Sequence, residues 1–125
     1  SRTAARCAVV TGATPVDFDA LLAMLGGDRQ VTVTLLTIFT DDLSVDIADC
    51  EQALTQQDTE ALGRIAHRIK GTSANLQATM LSAAARELEQ ASSKASEAVR
   101  AIKHRVMLKQ AQKVCDAIEA WSTAG

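Results

Sequence analysis

A chain of 125 residues holds one ordinary domain and is too short for two. Its apolar share of 47% supports a core, yet aromatics supply only 2%, namely Phe18, Phe39 and Trp121, and Ala and Leu with a single proline favour helices over a turn-rich β-sandwich. The formal net charge of −2 comes without a long run of either sign, which argues against a nucleic-acid footprint or a polybasic membrane patch.

Cys7, Cys50 and Cys115 are too widely spaced for a zinc or redox motif. Cys50 and Cys115 fall among apolar residues and are expected as small core fillers in a reducing compartment. No run of 18 apolar residues and no signal-peptide pattern occurs. The chain starts at Ser1 without a methionine, so it is expected to be cut from a longer protein whose membrane segments, if any, lie elsewhere.

In chain order, residues 1–14 are small and mixed and predict a linker or tail; residues 15–125 form the domain. Asp17 caps a short helix through Leu25, with Phe18, Leu21, Leu22 and Leu25 on one stripe, stopped by Gly26 and Gly27. Asp28 opens a long helix with Val31, Leu35, Ile38, Phe39, Leu43, Ile47, Cys50 and Leu54 as its apolar line. Asp41, Asp42, Asp46, Asp49 and Glu51 form its solvated side. Asp58 caps a third helix that turns Leu62, Ile65, Ala66, Ile69, Ser73 and Leu76 inward. Thr79 is read as the cap of a fourth, with Leu81, Ala84, Ala85 and Leu88 inward.

The polar stretch Ser92–Ser96 separates this from a last helix carrying Val99, Ile102 and Val106, then Met107, Ala111, Val114, Ile118 and Trp121, with a slip of phase after Val106. Short links between long amphipathic helices predict an all-α fold, an antiparallel up-and-down four-helix bundle with a short extra N-terminal helix across one end.

The third helix has an unusual outer face. At about 100° per residue, His67 falls opposite the apolar stripe, together with Gly63, Lys70, Gly71 and Ala74. A helix-interior glycine costs about 1 kcal/mol against alanine, so a bare strip must serve a purpose, and access to the ring is one. Imidazole, with an ordinary pKa of about 6.5, is a competent nucleophile near neutral pH. Lys70, three residues on, can offset negative charge placed on it. His104, between Lys103 and Arg105, is expected to be an ordinary surface histidine. The two histidines lie on different helices without companions at ligand spacing, so no metal is expected.

The stretch from Ala66 to Glu89, AHRIKGTSANLQATMLSAAARELE, resembles the signature of histidine-containing phosphotransfer domains through His67, Lys70, Gly71, Ser73, Leu76, Ala78, Leu88 and Glu89. Gln77 departs from it, standing where such domains commonly have glycine. The resemblance implies that His67 is the phosphoacceptor, that Lys70 stabilises the phosphoryl group and that Gly71 gives the partner clearance. Arg64, Arg68, Ala74 and Glu89 are then docking residues, Glu89 near the ring.

It also implies receiver domains as partners, one in a parent hybrid sensor kinase of a bacterium and one in a response regulator. Magnesium would sit on the receiver, with no cofactor, nucleic acid or membrane bound by this chain. The chain would be a cytoplasmic monomer in isolation, as the end of an inner-membrane kinase or free-standing. Docking is expected to be small and transient, on an apolar patch around His67 with a charged rim.

Two other readings compete. One is the dimerisation region of a histidine kinase, but Arg68 rather than an acid follows the histidine, the only proline is Pro15, and no Gly-rich nucleotide site is present. The other is a structural or adaptor bundle whose basic strip docks an acidic partner.

Overall fold

The computed structural model describes residues 14–124, so apart from Thr14 the predicted linker, with Cys7, lies outside the described residues. Five helices follow one another: α1 (Phe18–Met24), α2 (Arg29–Thr55), α3 (Thr59–Asn75), α4 (Thr79–Lys94) and α5 (Glu97–Thr123). No strand occurs among the described residues. Side chains that accept from orphan amides set four of the starts. Asp17 accepts from Ala20 N at 3.0 Å, Asp28 from Val31 N at 3.1 Å, Asp58 from Ala61 N at 3.1 Å and Ser96 from Val99 N at 3.3 Å. For α4 the expected cap is corrected: Ala78 holds that position without a side-chain bond, and Thr79 is the first helical residue.

Three helices end the same way. Gly26, Gln57 and Gln77 adopt φ of 73°, 55° and 64°. The next amide then turns back onto the helix: Gly27 N to Leu22 O at 2.8 Å, Asp58 N to Ala53 O at 2.9 Å and Ala78 N to Ser73 O at 2.9 Å. This closure needs a left-handed residue. The glycine that the resemblance expects at position 77 therefore has a backbone reason, and Gln77 meets the same geometry at a steric cost.

Neighbours pack α2 on α3, α3 on α4, α4 on α5 and α5 back on α2, the closed ring of an up-and-down bundle. Leu36, Leu62, Ile69, Leu81, Leu88, Met107 and Val114 lie fully buried at its centre. The short α1 closes one end. Phe18 stacks flat on Trp121 at 4.9 Å between centroids, and the Arg29 guanidinium lies 4.1 Å from the Trp121 ring while also donating to the Trp121 carbonyl. The Asp17 amide donates to the Gln77 carbonyl at 3.1 Å, tying α1 to the end of α3.

The inner phase differs from expectation in two helices. Along α2 the buried residues are Thr32, Leu36, Phe39, Leu43, Asp46, Cys50 and Ala53, whereas Val31 and Ile38 face solvent. Two polar residues in the buried register masked the true stripe. Thr32 can lie inside because its hydroxyl donates to Asp28 O at 2.8 Å, and Asp46 because Arg68 reaches it. Asp46 is thus removed from the solvated side where it was expected.

On α5 the inward residues are His104, Met107, Ala111, Val114 and Ile118, so Val99, Ile102 and Val106 point out and one unbroken helix runs throughout. The apparent slip of phase is two apolar sets on opposite sides. His104, expected at the surface, is 7% exposed because it stands three residues before Met107 in the inner register. Burial lowers its pKa, and its Nε2 has no hydrogen-bond partner among the described residues. The predicted Ser92–Ser96 break is shorter than expected: α4 continues to Lys94 and Ser92 is buried. Cys50 is buried, as expected of a core filler, and desolvation pushes its thiol up to about 12.

Candidate functional site

His67 lies at mid-height on α3, where Asp58 caps the helix and Glu60 in the first turn complements the helix dipole. Leu62, Ile65, Ala66, Ile69 and Ser73 are all buried, which fixes the rotation of α3 and turns His67 outward with its side chain 66% exposed. Small residues let α4 lie close beside it. Ala66, Ala84, Ala85 and Ala91 are buried in this region, and Ser82 Oγ donates to Lys70 O at 2.8 Å. Gly63 belongs to this packing. A Cβ there would stand 2.8 Å from Ser92 Oγ, so Gly63 serves the α3–α4 approach and leaves the bare strip where it was expected.

The close approach brings Glu89 of α4 between two residues of α3. Its Oε2 lies 2.7 Å from His67 Nδ1, and its Oε1 accepts from Lys70 Nζ at 2.9 Å. The hydrogen bond from Lys70, and next that from His67, hold the Glu89 carboxyl below its ordinary range, so it is ionised at neutral pH. An ionised carboxylate can only accept, which assigns the proton of this contact to Nδ1; in the neutral ring the lone pair is then on Nε2. Nε2 has no protein partner among the described residues.

Gly71 is exposed, one turn after His67, and a Cβ built on it meets none of the described residues within 4 Å. It lines a groove between α3 and α4 with Lys70 and Ala74 on one wall and Ser82, Arg86 and Gln90 on the other. Arg86 was not singled out in the sequence; its exposure and its i−3 relation to Glu89 were the available signals.

Arg64 and Arg68 behave differently from one another. Arg64 is exposed and among the described residues reaches Glu60 alone, at 3.5 Å on its own helix, a pair that contributes little. Arg68 crosses to α2, where its Nε and a terminal nitrogen donate to Asp46 Oδ1 at 3.1 and 2.6 Å. The Asp46 side chain is only 10% exposed, and its hydrogen bond raises the Arg68 pKa further. Arg68 is thereby a brace between α2 and α3 before it is anything else.

Among the described residues the polar contact of the ring is Glu89. An apolar groove of about 340 Å³ lies toward the α1 end, between Met24, Leu35, Ile38 and Leu76, with Thr72 and Asn75 on its edge. Asn75 is eight residues beyond His67, about 12 Å along the helix. No cluster of three or more possible metal ligands occurs among the described residues, and no described helix is long and apolar enough to cross a membrane.

Neither a curated protein nor a solved structure matches the chain. The family model of the Hpt domain matches residues 34–121, from the first third of α2 to the last turns of α5, with His67, Lys70, Gly71 and Glu89 inside the match. On this coverage the chain belongs to the Hpt domain family, the phosphotransfer modules of two-component signalling.

Proposed function

We propose that His67 Nε2 takes a phosphoryl group from the aspartyl phosphate of one receiver domain and passes it to the aspartate of another. The observation that carries this reading is the single Glu89 carboxylate holding His67 Nδ1 and Lys70 Nζ at once, with Nε2 left open. In the forward step the Nε2 lone pair attacks phosphorus, a P–N bond forms, and the P–O bond to the aspartyl carboxylate breaks. The proton on Nδ1 remains hydrogen-bonded to Glu89, which offsets the positive charge that the ring gains. Lys70 is near enough to turn its ammonium toward the phosphoryl oxygens and compensate their charge. The reverse step is the same motion, so direction is set by the partners.

Partner clearance falls to Gly71 and Ala74, and apolar contact to the groove beside Met24 and Leu35. In this reading magnesium is held by the receiver, and the chain works in the cytoplasm as a relay between a sensor kinase and a response regulator. Arg68 contributes by fixing α3 against α2, a change from the docking role first expected of it.

The test is transfer of radiolabel from a phosphorylated receiver domain. Label is expected on the wild-type chain and absent from His67→Gln; equal labelling of the two would sink the assignment. Incubation with ATP alone should leave the chain unlabelled, and labelling there would favour a kinase region instead.

A further inference from the structure

Two helix faces of this bundle carry apolar residues that no other described residue covers. Along α2, Val31, Ile38 and Val45 are 48%, 53% and 60% exposed and recur every seven residues, with exposed Asp42 and Asp49 on the same line. Along α5, Val99, Ile102 and Val106 are exposed opposite the core, and exposed Lys109 and Lys113 continue their line. With their charged residues included, the α2 strip from Val31 to Asp49 covers nineteen residues, about 27 Å at the helical rise, and the α5 strip from Val99 to Lys113 covers fifteen, about 21 Å.

Their charges are of opposite kind. After Arg29, which is engaged with Trp121, α2 contains no Lys or Arg. On α5 the acids Glu97, Asp116 and Glu119 lie near the two ends, and the exposed middle carries only bases.

We infer that the α2 strip of one copy receives the α5 strip of a second copy of this chain. Apolar side chains at i, i+7 and i+14 on α2 and at i, i+3 and i+7 on α5 each line one side of their helix, the surface by which one helix lies along another. Charge decides the pairing. In parallel register an α2 strip on another α2 strip would press Asp42 and Asp49 against their counterparts, and α5 on α5 would do the same with Lys109 and Lys113; antiparallel self-pairing would set those charges against the apolar end of the other strip. Only the crossed arrangement sets carboxylates against ammonium groups. The contact is small and charged at its rim, so it is weak and sensitive to salt. His67, on α3, stays outside it. Ile38 borders the apolar groove as well, so a second copy and a partner in that groove exclude one another there. The association is nevertheless a property of the chain alone and does not rest on the phosphotransfer reading.

The test is sedimentation velocity of the whole chain up to millimolar concentration. The average mass is expected to rise above the 13.2 kDa of one chain at about 0.05 M salt and to fall back at about 0.5 M. Ile38→Asp and Ile102→Asp should each weaken association at least about tenfold. An equimolar mixture of the two variants should restore it, because each retains the strip that the other has lost.

Both positions are exposed, and unchanged helicity and melting temperature will show that the variants fold. Should either unfold, the milder swaps Asp49→Lys and Lys113→Glu carry the same test, weak singly and restored on mixing. A chain that stays monomeric at low salt, or variants whose mixture associates no better than either alone, overturns the inference.

Discussion

Nδ1 of His67 lies 2.7 Å from Oε2 of Glu89, whose other oxygen accepts from Lys70 at 2.9 Å. Glu89→Gln keeps an acceptor for Nδ1 but loses the charge that both partners feel, and Glu89→Ala loses both. Hydrogen bonds to charged groups contribute about 1.5–3 kcal/mol, so the transfer rate should fall roughly tenfold or more in Glu89→Ala and less in Glu89→Gln. Nitrogen NMR of the ring should find the Nδ1–H tautomer dominant in the wild type and mixed in Glu89→Ala. An unchanged tautomer ratio in Glu89→Ala would count against the orienting role.

Gly71 and Gly63 should separate cleanly. No described residue stands within 4 Å of a Cβ at Gly71, so Gly71→Ala is expected to stabilise the bundle by about 0.5–1 kcal/mol. Gly71→Phe should leave the fold intact and sharply slow transfer from a receiver domain. At Gly63 the Ser92 hydroxyl is in the way, so Gly63→Val should cost about 1–3 kcal/mol through overpacking. Thermal melts and transfer rates on the three variants decide this.

Were Arg68 a docking residue alone, Arg68→Glu would slow transfer without unfolding the bundle. With Asp46 nearly buried at the other end of the pair, it should also destabilise the fold. Arg68 itself is 53% exposed, so solvent screening keeps the loss in Arg68→Ala to about 1–3 kcal/mol, below the range for a fully buried pair. A cycle with Asp46→Asn should show that the two losses are not additive. Full additivity would mean that the pair is not a brace.

Gln57 and Gln77 hold left-handed backbone that costs a side-chain-bearing residue about 1–2 kcal/mol. Glycine relieves this strain while losing part of the gain to unfolded-state entropy. Gln57→Gly and Gln77→Gly should therefore each stabilise by roughly 0.5–1 kcal/mol, measured by urea unfolding.

His104 makes stability depend on pH. Burial lowers its folded pKa below 6.5, so in mild acid the unfolded chain binds a proton that the folded chain refuses. The contribution is complete above 6.5 and is lost as pH falls from there toward the folded value. The melting temperature should drop over that range in the wild type and drop less in His104→Leu. Glu89 acts in the same direction at lower pH: with its folded pKa held below 4.5 by Lys70, its contribution is lost as pH falls through that folded value.

Helix number, order and three of the starts were legible because capping is local: Asp17, Asp28 and Asp58 each bond an amide three residues away. The outward rotation of His67 was legible for a similar reason, since every inward residue of α3 is apolar or small, and the bare Gly71 followed from it.

What local pattern could not decide was which of two apolar sets faces inward when polar residues share the buried register. Thr32, Asp46 and His104 are inside because their helices meet particular neighbours, and Arg68 changed from a surface cation to a brace through a partner 22 residues away. The bridge from Glu89 to both His67 and Lys70 likewise depends on how closely α4 approaches α3. That distance is set by Gly63, Ser92 and the alanines between the helices, and no periodicity along one strand of sequence encodes it.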